Sequence, residues 1–246
     1  MSGAPLVDLR PHRTRLVLFD IDGTLLWSDG AGRRAIHRAL IEIFGETGPE
    51  DHRFDGKTDP QIVRELMRVV GHEDDAIDDR MEELFSRYVT CLREELQDPT
   101  HRAVALPGVM TLLDVLEQRN DVTLGLLTGN LVDGARAKLE AVGIDPSRFL
   151  VGAYGTDHEL RPELPAIAQR RAREQLGIDV AGADIIIIGD TPADVECGRA
   201  IGARGIGVAT GRYSADVLAS HGAAAVFNDL TDTRSVVHAI LEDDRD

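Results

Sequence analysis

One stretch of the chain, residues 16–26 with the sequence LVLFDIDGTLL, most constrains what the whole can fold into. Four consecutive apolar residues lead into Asp20 and Asp22, with no alternation of polar and apolar side chains. Such a run is typical of a strand that is buried on both faces, as in a parallel sheet. Ligands of open parallel sheets bind beyond the carboxyl ends of the strands. Two carboxylates placed there need a cation or hydrogen-bond donors to offset their repulsion, so this stretch indicates a metal site.

Helical and strand patterns alternate along much of the chain. Apolar strands are predicted at 122–127 and 183–188, with a weaker one at 149–151 and helices between them. This alternation predicts an α/β fold, a Rossmann-like doubly wound parallel sheet with helices on both faces. Residues 27–105 interrupt the pattern with three or more helices. We therefore expect a catalytic core of residues 1–26 and 106–246, with residues 27–105 inserted as an all-helical cap.

Charge and composition exclude several classes of partner. The net charge of −16 over 246 residues argues against a nucleic acid or an anionic membrane surface. No apolar run approaches the length of a membrane span, and Met1 to Arg15 lacks the apolar core of a signal peptide. Cys91 and Cys197 lie far apart, which is unlike a disulfide framework. We expect a cytoplasmic protein, monomeric or homodimeric, that acts on a small molecule.

Three of the predicted apolar strands end in polar chemistry. The residues concerned are Asp20 and Asp22, Thr128 and Asn130, and Asp190 and Asp194. Neighbouring parallel strands lie about 4.8 Å apart, so these ends can converge on one small site. Carboxylates without His or Cys favour a hard cation, Mg²⁺ over zinc. Asp20 would then be a nucleophile toward phosphorus, with Asp22 protonating the leaving oxygen.

These residues carry a resemblance to a known family. Asp20-Ile21-Asp22-Gly23-Thr24-Leu25, Thr128-Gly129-Asn130 and Gly189-Asp190-Thr191-Pro192-Ala193-Asp194 resemble motifs one, two and four of the haloacid dehalogenase (HAD) superfamily. The order is right, and each motif follows an apolar strand. The resemblance covers essentially the whole chain, including a helical cap inserted after the first strand. Within it, the loop Gly56-Lys57-Thr58-Asp59 is similar to the cap loop of phosphoglycolate-phosphatase-like proteins.

The resemblance implies a phosphoric monoester hydrolase that depends on Mg²⁺. Its substrate would be a small phosphorylated metabolite, a phosphoglycolate-like phosphomonoester. Asp20 would bind the metal and form an aspartyl-phosphate. Asp22 would act as general acid and then as general base, with its backbone carbonyl on the metal.

The other two motifs would bind phosphate and metal. Thr128, together with Gly129 and Asn130, would hold the phosphoryl oxygens. Asp190 would be a metal ligand, and Asp194 would hold the metal's water shell or a partner cation. These assignments are what the resemblance implies.

The third motif departs from the family pattern, which usually has a lysine before the helix that precedes the last catalytic strand. Arg161, followed by Pro162, stands at that place and is the candidate phosphate clamp. Arginine keeps the positive charge but is bulkier than lysine and is not equivalent to it. The two lysines of the chain are Lys57 and Lys138. Lys57 is a candidate substrate contact from the cap, with a purely structural role in its loop as the alternative, and Lys138 is expected to be a solvated helix residue.

Three alternatives remain beside the phosphatase. A dehalogenase is disfavoured by Asp22, because breaking a carbon–halogen bond needs no acid for an oxygen leaving group. A phosphomutase of the β-phosphoglucomutase type shares the carboxylates and differs mainly in the cap. A catalytically silent binding protein on the same fold is the third, since a fold does not fix a function.

Overall fold

A computed structural model describes residues 14–242 of the chain. Predictions that concern residues 1–13, including most of the stretch from Met1 to Arg15, lie outside this range, as do those for residues 243–246. Within the described residues, no helix is both long enough and apolar enough to cross a membrane.

The main sheet has six parallel strands, which confirms the predicted Rossmann-like doubly wound core. In spatial order the strands are β5 (Val151–Ala153), β4 (Val122–Leu127), β1 (Arg15–Phe19), β6 (Ile185–Gly189), β7 (Arg204–Val208) and β8 (Ala225–Phe227). Phe19 at the end of β1 lies beside Leu126 of β4 and Ile188 of β6. The three strands that end in polar motifs are therefore immediate neighbours, and their carboxyl ends meet at one edge of the sheet.

Two strands begin and end later than the sequence predicts. The weak strand expected at 149–151 begins at Val151, because residues 146–148 form a short 3₁₀ turn. The strand expected at 183–188 begins at Ile185, because residues 182–184 form another such turn. Both turns end where the apolar run begins.

Helices cover both faces of the sheet. They are α4 (Val109–Glu117), α5 (Val132–Ala141), α6 (Leu164–Leu176), α7 (Pro192–Cys197), α8 (Ala215–Ser220) and α9 (Thr233–Leu241). Side chains of β1 alternate between two apolar cores: Val17 and Phe19 pack into one, and Leu16 and Leu18 into the other. This two-sided burial explains the uninterrupted apolar run of the sequence.

Three helices follow the first strand: α1 (Ala31–Phe44), α2 (Asp59–Val69) and α3 (Asp74–Gln97). They bury an apolar cluster of their own, which also includes Leu131 from the start of α5. The two chain connections to this segment pair with each other as short antiparallel strands, β2 (Leu26–Trp27) and β3 (Val104–Ala105). Sequence reasoning missed these strands, because two-residue strands have no measurable periodicity.

The start of α2 is capped by Thr58, whose hydroxyl accepts a hydrogen bond from the Gln61 N–H at 3.2 Å. Asp59 is the first helical residue, and its side chain makes the long-range contact described below. Pro60 stays within the first turn, where its missing N–H costs nothing.

Candidate active site

Three carboxylates meet at the carboxyl ends of β1 and β6. Oxygen atoms of Asp20, Asp190 and Asp194 all lie within 4.8 Å of one another. All three residues are buried, with exposures of 6%, 5% and 1% respectively. The structure thus brings together three of the four residues that the sequence assigns to a metal site.

The local backbone fixes each of these side chains. The Asp20 N–H donates to the Ile188 carbonyl at 2.9 Å, which continues the ladder between β1 and β6. Asp194 belongs to a capping box at the start of α7: its Oδ2 accepts from Thr191 N at 2.9 Å and from Thr191 Oγ1 at 2.7 Å. Its other oxygen is left for Arg161. Asp194 is therefore both a helix cap and a partner of the predicted cation.

Two glycines let the backbone approach Asp190. A Cβ on Gly23, which has a φ of +82°, would lie 2.4 Å from Asp190 Oδ2, and a Cβ on Gly211 would lie 1.8 Å from the same atom. Any side chain at either position would occupy the space around that carboxylate. The two loops therefore form a tight cradle for Asp190.

Arg161 reaches the carboxylates from the short turn before α6. It is 4% exposed, and its Nη2 donates to Asp20 Oδ1 at 2.8 Å, to Asp194 Oδ1 and to the Leu127 carbonyl at 3.3 Å. Its Nε is buried without a hydrogen-bond partner in the described part of the chain. The guanidinium thus lies where the resemblance implies the lysine of the third motif.

The charges of this cluster do not balance. Three carboxylates face one guanidinium, and burial raises the pKa of Asp20 to about 7 although the charge of Arg161 opposes the shift. Burial and the charges of Asp194 and Asp20 raise the pKa of Asp190 well above its usual range. A divalent cation would supply the missing positive charge, and buried carboxylate oxygens are ligands that a hard cation accepts. The donor set, the cradle and the charge excess all fit such an ion.

Asp22 lies apart from this cluster and makes different contacts. Its side chain is 42% exposed, and its Oδ2 accepts from Lys138 Nζ at 2.6 Å and from Asn130 Nδ2 at 2.8 Å. Its partial burial acts to raise the pKa of Asp22, but the charge and hydrogen bond of Lys138 outweigh that effect and hold the pKa below its ordinary value. Within the described residues, the Asp22 side chain does not belong to the cluster of Asp20, Asp190 and Asp194.

The expectation that Lys138 is solvated is wrong. The residue is 4% exposed, and its Nζ also donates to Asn130 Oδ1 at 2.6 Å. A signal was present in the sequence: Leu131, Gly134 and Lys138 recur at three and four, which puts them on one helix face. All three are buried. Lys138 is thus a functional candidate that sequence reasoning missed.

The loop after β4, residues 128–130, contacts both Asp22 and the loop that precedes α2. Thr128 is fully buried, and its hydroxyl accepts from Asn130 Nδ2 at 2.8 Å. A Cβ on Gly129 would lie 2.1 Å from the Lys57 carbonyl, and the Gly129 carbonyl accepts from Asp59 N at 2.7 Å. This loop is therefore packed directly against the loop that precedes α2.

Lys57 is engaged by its own segment. Its ammonium pairs with Glu65 and lies 3.3 Å from His52 Nε2. Its side chain remains 25% exposed. It lines the same cavity of about 710 Å³ as Asp20, Asp22 and Arg161. Within the described residues its one carboxylate partner is Glu65, and it makes no contact with the aspartates of the site.

The chain resembles solved structures over almost its whole length. A hydrolase from Pseudomonas syringae is 24% identical, with a TM-score of 0.70 and coverage of 93% of this chain and 99% of its own. A predicted phosphoglycolate phosphatase from Haemophilus somnus is 21% identical, with a TM-score of 0.65 and coverage of 91% and 98%. A putative β-phosphoglucomutase from Bacteroides vulgatus is 19% identical, with a TM-score of 0.65 and coverage of 93% and 89%. At these identities the likeness shows the fold alone.

The family follows from a second comparison. No curated protein matches the chain. The model of the haloacid dehalogenase-like hydrolase family matches residues 17–199, which is most of the chain and contains all three motifs. The resemblance seen in the sequence is thereby confirmed: this chain belongs to the haloacid dehalogenase-like hydrolases.

Proposed function

We propose that the protein is a Mg²⁺-dependent phosphatase that hydrolyses a small phosphorylated metabolite through an aspartyl-phosphate. One observation carries the proposal. Asp20, paired with a buried arginine, lies beside two further buried carboxylates at the wall of a cavity, while a separately held Asp22 lines that cavity too. A nucleophile, a cation for phosphate and an acid/base are thus within one site.

The reaction proceeds in two displacements at phosphorus. In the first, an Asp20 oxygen forms a bond to phosphorus as the ester P–O bond breaks, and Asp22 gives its proton to the leaving oxygen. In the second, water attacks the aspartyl-phosphate and gives a proton to Asp22, which releases inorganic phosphate and restores the Asp20 carboxylate. A bound phosphate raises the pKa of a neighbouring carboxyl by its negative charge, which favours the protonated Asp22 that the first step needs.

Positioning and charge account for the remaining residues. Arg161 holds Asp20 and offsets negative charge next to it, and the Thr128 hydroxyl and the Gly129 N–H contribute hydrogen-bond donors to the phosphoryl oxygens. Asn130 shapes this loop, because both of its amide protons go to Asp22 and Thr128. Asp20, Asp190 and the Asp22 backbone carbonyl would hold Mg²⁺, with Asp194 orienting Arg161 and the metal's water. When bound, Mg²⁺ offsets the repulsion between the carboxylates and the phosphate dianion.

The helices between β2 and β3 are the proposed cap, residues 27–105, on the core of residues 1–26 and 106–246. This segment contributes Lys57, from the loop before α2, and other cavity-lining groups, which supports a role in closing the site and selecting the leaving group. Lys57 would reach the substrate only by giving up part of its contact with Glu65. We further propose a cytoplasmic location, which the two buried free thiols support, and a monomeric or homodimeric state.

A substrate panel tests the proposal. Phosphate release from a set of small phosphomonoesters, including phosphoglycolate and sugar phosphates, is measured with Mg²⁺ and with EDTA. We expect metal-dependent turnover of at least one ester, and its loss in Asp20→Asn. No metal-dependent turnover on any ester, in protein shown to be folded by circular dichroism, would favour the silent binding protein.

A phosphomutase is the second candidate, favoured by the likeness to a putative β-phosphoglucomutase. The two activities differ in what accepts the phosphoryl group from Asp20. A sugar phosphate labelled at phosphorus distinguishes them: a phosphatase releases labelled phosphate, whereas a mutase moves the label to another hydroxyl of the sugar.

A further inference from the structure

Lys138 is a helix residue whose side chain is buried and points into the site. A buried ammonium is costly unless it is paired, and a surface lysine has no reason to turn inward. Here Nζ lies 2.6 Å from Asp22 Oδ2 and 2.6 Å from Asn130 Oδ1. α5 thus delivers a cation to Asp22, a site carboxylate that stands apart from the three-carboxylate cluster.

The contacts of Asp22 are divided unequally between its two oxygens. Oδ2 accepts from both Lys138 and Asn130, while Oδ1 accepts only a long contact of 3.3 Å from the Ser28 hydroxyl. Asn130 is itself fixed, because its second amide proton goes to Thr128 Oγ1 at 2.8 Å. One oxygen is thereby held in place, and the other is left with a single long contact in a residue that lines the cavity.

The first helix of the proposed cap passes close to the ammonium. An ideal Cβ on Gly32 of α1 would lie 3.3 Å from Lys138 Nζ and 3.6 Å from its Cε. A side chain there would press on the ammonium, so the glycine leaves the room that Lys138 occupies. Lys138 therefore stands between α1 and Asp22.

We propose that Lys138 is a positioning residue for proton transfer. It fixes Asp22 Oδ2, with Asn130, so that Oδ1 faces the leaving oxygen and later the attacking water. Lys138 does not touch the substrate and acts through Asp22. The inference rests on the proposed phosphatase function and adds a residue outside the motifs that carry the family resemblance.

The leaving group provides a selective test. As the ester P–O bond breaks, the departing oxygen of benzyl phosphate is strongly basic and needs the proton of Asp22. The oxygen of p-nitrophenyl phosphate is weakly basic and departs with little help, although the two esters are similar in size. Since kcat/KM reports steps up to departure of the alcohol, loss of acid catalysis lowers it far more for benzyl phosphate.

The variants are Lys138→Met, Asp22→Asn, their double mutant, and Arg136→Met as a control that removes an exposed cation from the same helix. In Lys138→Met we expect kcat/KM for benzyl phosphate to fall about 100-fold, and that for p-nitrophenyl phosphate to fall less than about tenfold. Asp22→Asn should shift the ratio the same way, and the double mutant should shift it no further. Arg136→Met should leave the ratio unchanged.

Other outcomes would overturn the inference. Equal losses on both esters in Lys138→Met would show a structural role alone, with the phosphatase function intact. Absence of turnover in the wild-type protein and in Arg136→Met would overturn the phosphatase function and this inference with it. Should Lys138→Met fail to fold, Gly32→Ala takes its place, because the new methyl group would lie 3.3 Å from Lys138 Nζ and displace it. This variant should shift the ratio of the two kcat/KM values in the same direction. An unchanged ratio would count against the inference.

Discussion

Asp59 offers a perturbation whose energy can be worked out from the structure. It is the first residue of α2 and only 6% exposed, and its Oδ2 accepts from the Leu131 N–H at 2.9 Å, at the start of α5. Burial raises its pKa to about 6, although the charge of Lys138 opposes the shift. Asp59→Asn keeps the shape and an acceptor oxygen for Leu131 but removes the ionisation.

The size and sign of the effect follow from that pKa. Its rise from the ordinary value of 3.8 to about 6 corresponds to about 3 kcal/mol, since one pKa unit is worth roughly 1.4 kcal/mol. A group whose pKa is raised by folding binds its proton more tightly in the folded state. Its contribution is fully present below the unfolded pKa and is lost as the pH rises through the folded value. Between these two values the wild-type protein loses stability that the variant keeps.

The assay is urea unfolding in EDTA, followed by circular dichroism, at several values from about pH 4 to about pH 7.5. The unfolding free energy of Asp59→Asn, minus that of the wild-type protein, should increase by about 2.4 kcal/mol across this range, because pH 4 already lies just above the unfolded pKa of 3.8. Taking the difference cancels the other carboxylates, which both proteins share. Asp75→Asn, at an exposed position on α3, is the matched control and should give a flat difference. A flat difference for Asp59→Asn would refute the argument that burial governs this carboxyl.

Three further predictions concern the carboxylate cluster and its loops. Arg161→Lys should keep kcat within about tenfold, because one ammonium has three protons for the three acceptors now served by Nη2. Arg161→Met should lower kcat about 100-fold or more. Phosphate release measures both variants, and full activity in Arg161→Met would remove the residue from the site. Mg²⁺ at a hundredfold excess over its Kd should stabilise the protein by about 2.7 kcal/mol in calorimetry, an effect that EDTA reverses; no shift of the melting temperature at any Mg²⁺ concentration would contradict the proposed metal site. Gly129→Ala should cost about 1–3 kcal/mol in urea unfolding, since its methyl would lie 2.1 Å from the Lys57 carbonyl, and unchanged stability would mean that the two loops separate readily.

The sheet and the three motifs could be predicted because their signals are local. A strand buried on both faces leaves an unbroken apolar run, and residues at its end share the sheet edge whatever the rest of the chain does. Arg161 was placed in the same way, by its position in front of a helix. The structure then shows Asp20, Asp194 and Arg161 in contact, although they come from distant parts of the chain.

The contacts of Lys138 and Asp59 could not be read in the same manner. A lysine within a helix is usually solvated, and only the small and apolar residues on its face argued otherwise. Asp59 contacts Leu131, which lies 72 residues further along the chain, and no periodic pattern marks such a pair. The short strands β2 and β3 were missed for a related reason: their pairing depends on two chain segments meeting in space.

Because Lys138 is buried, the rate of its chemical modification can report how often the site opens. The chain has only two lysines, and the Lys57 side chain is 25% exposed while that of Lys138 is 5% exposed. An amine-selective acylating reagent reaches Lys138 only when its contacts with Asp22 and Asn130 have opened. The rate at which the peptide containing Lys138 gains mass therefore records how often this side of the site exposes itself, independently of any substrate.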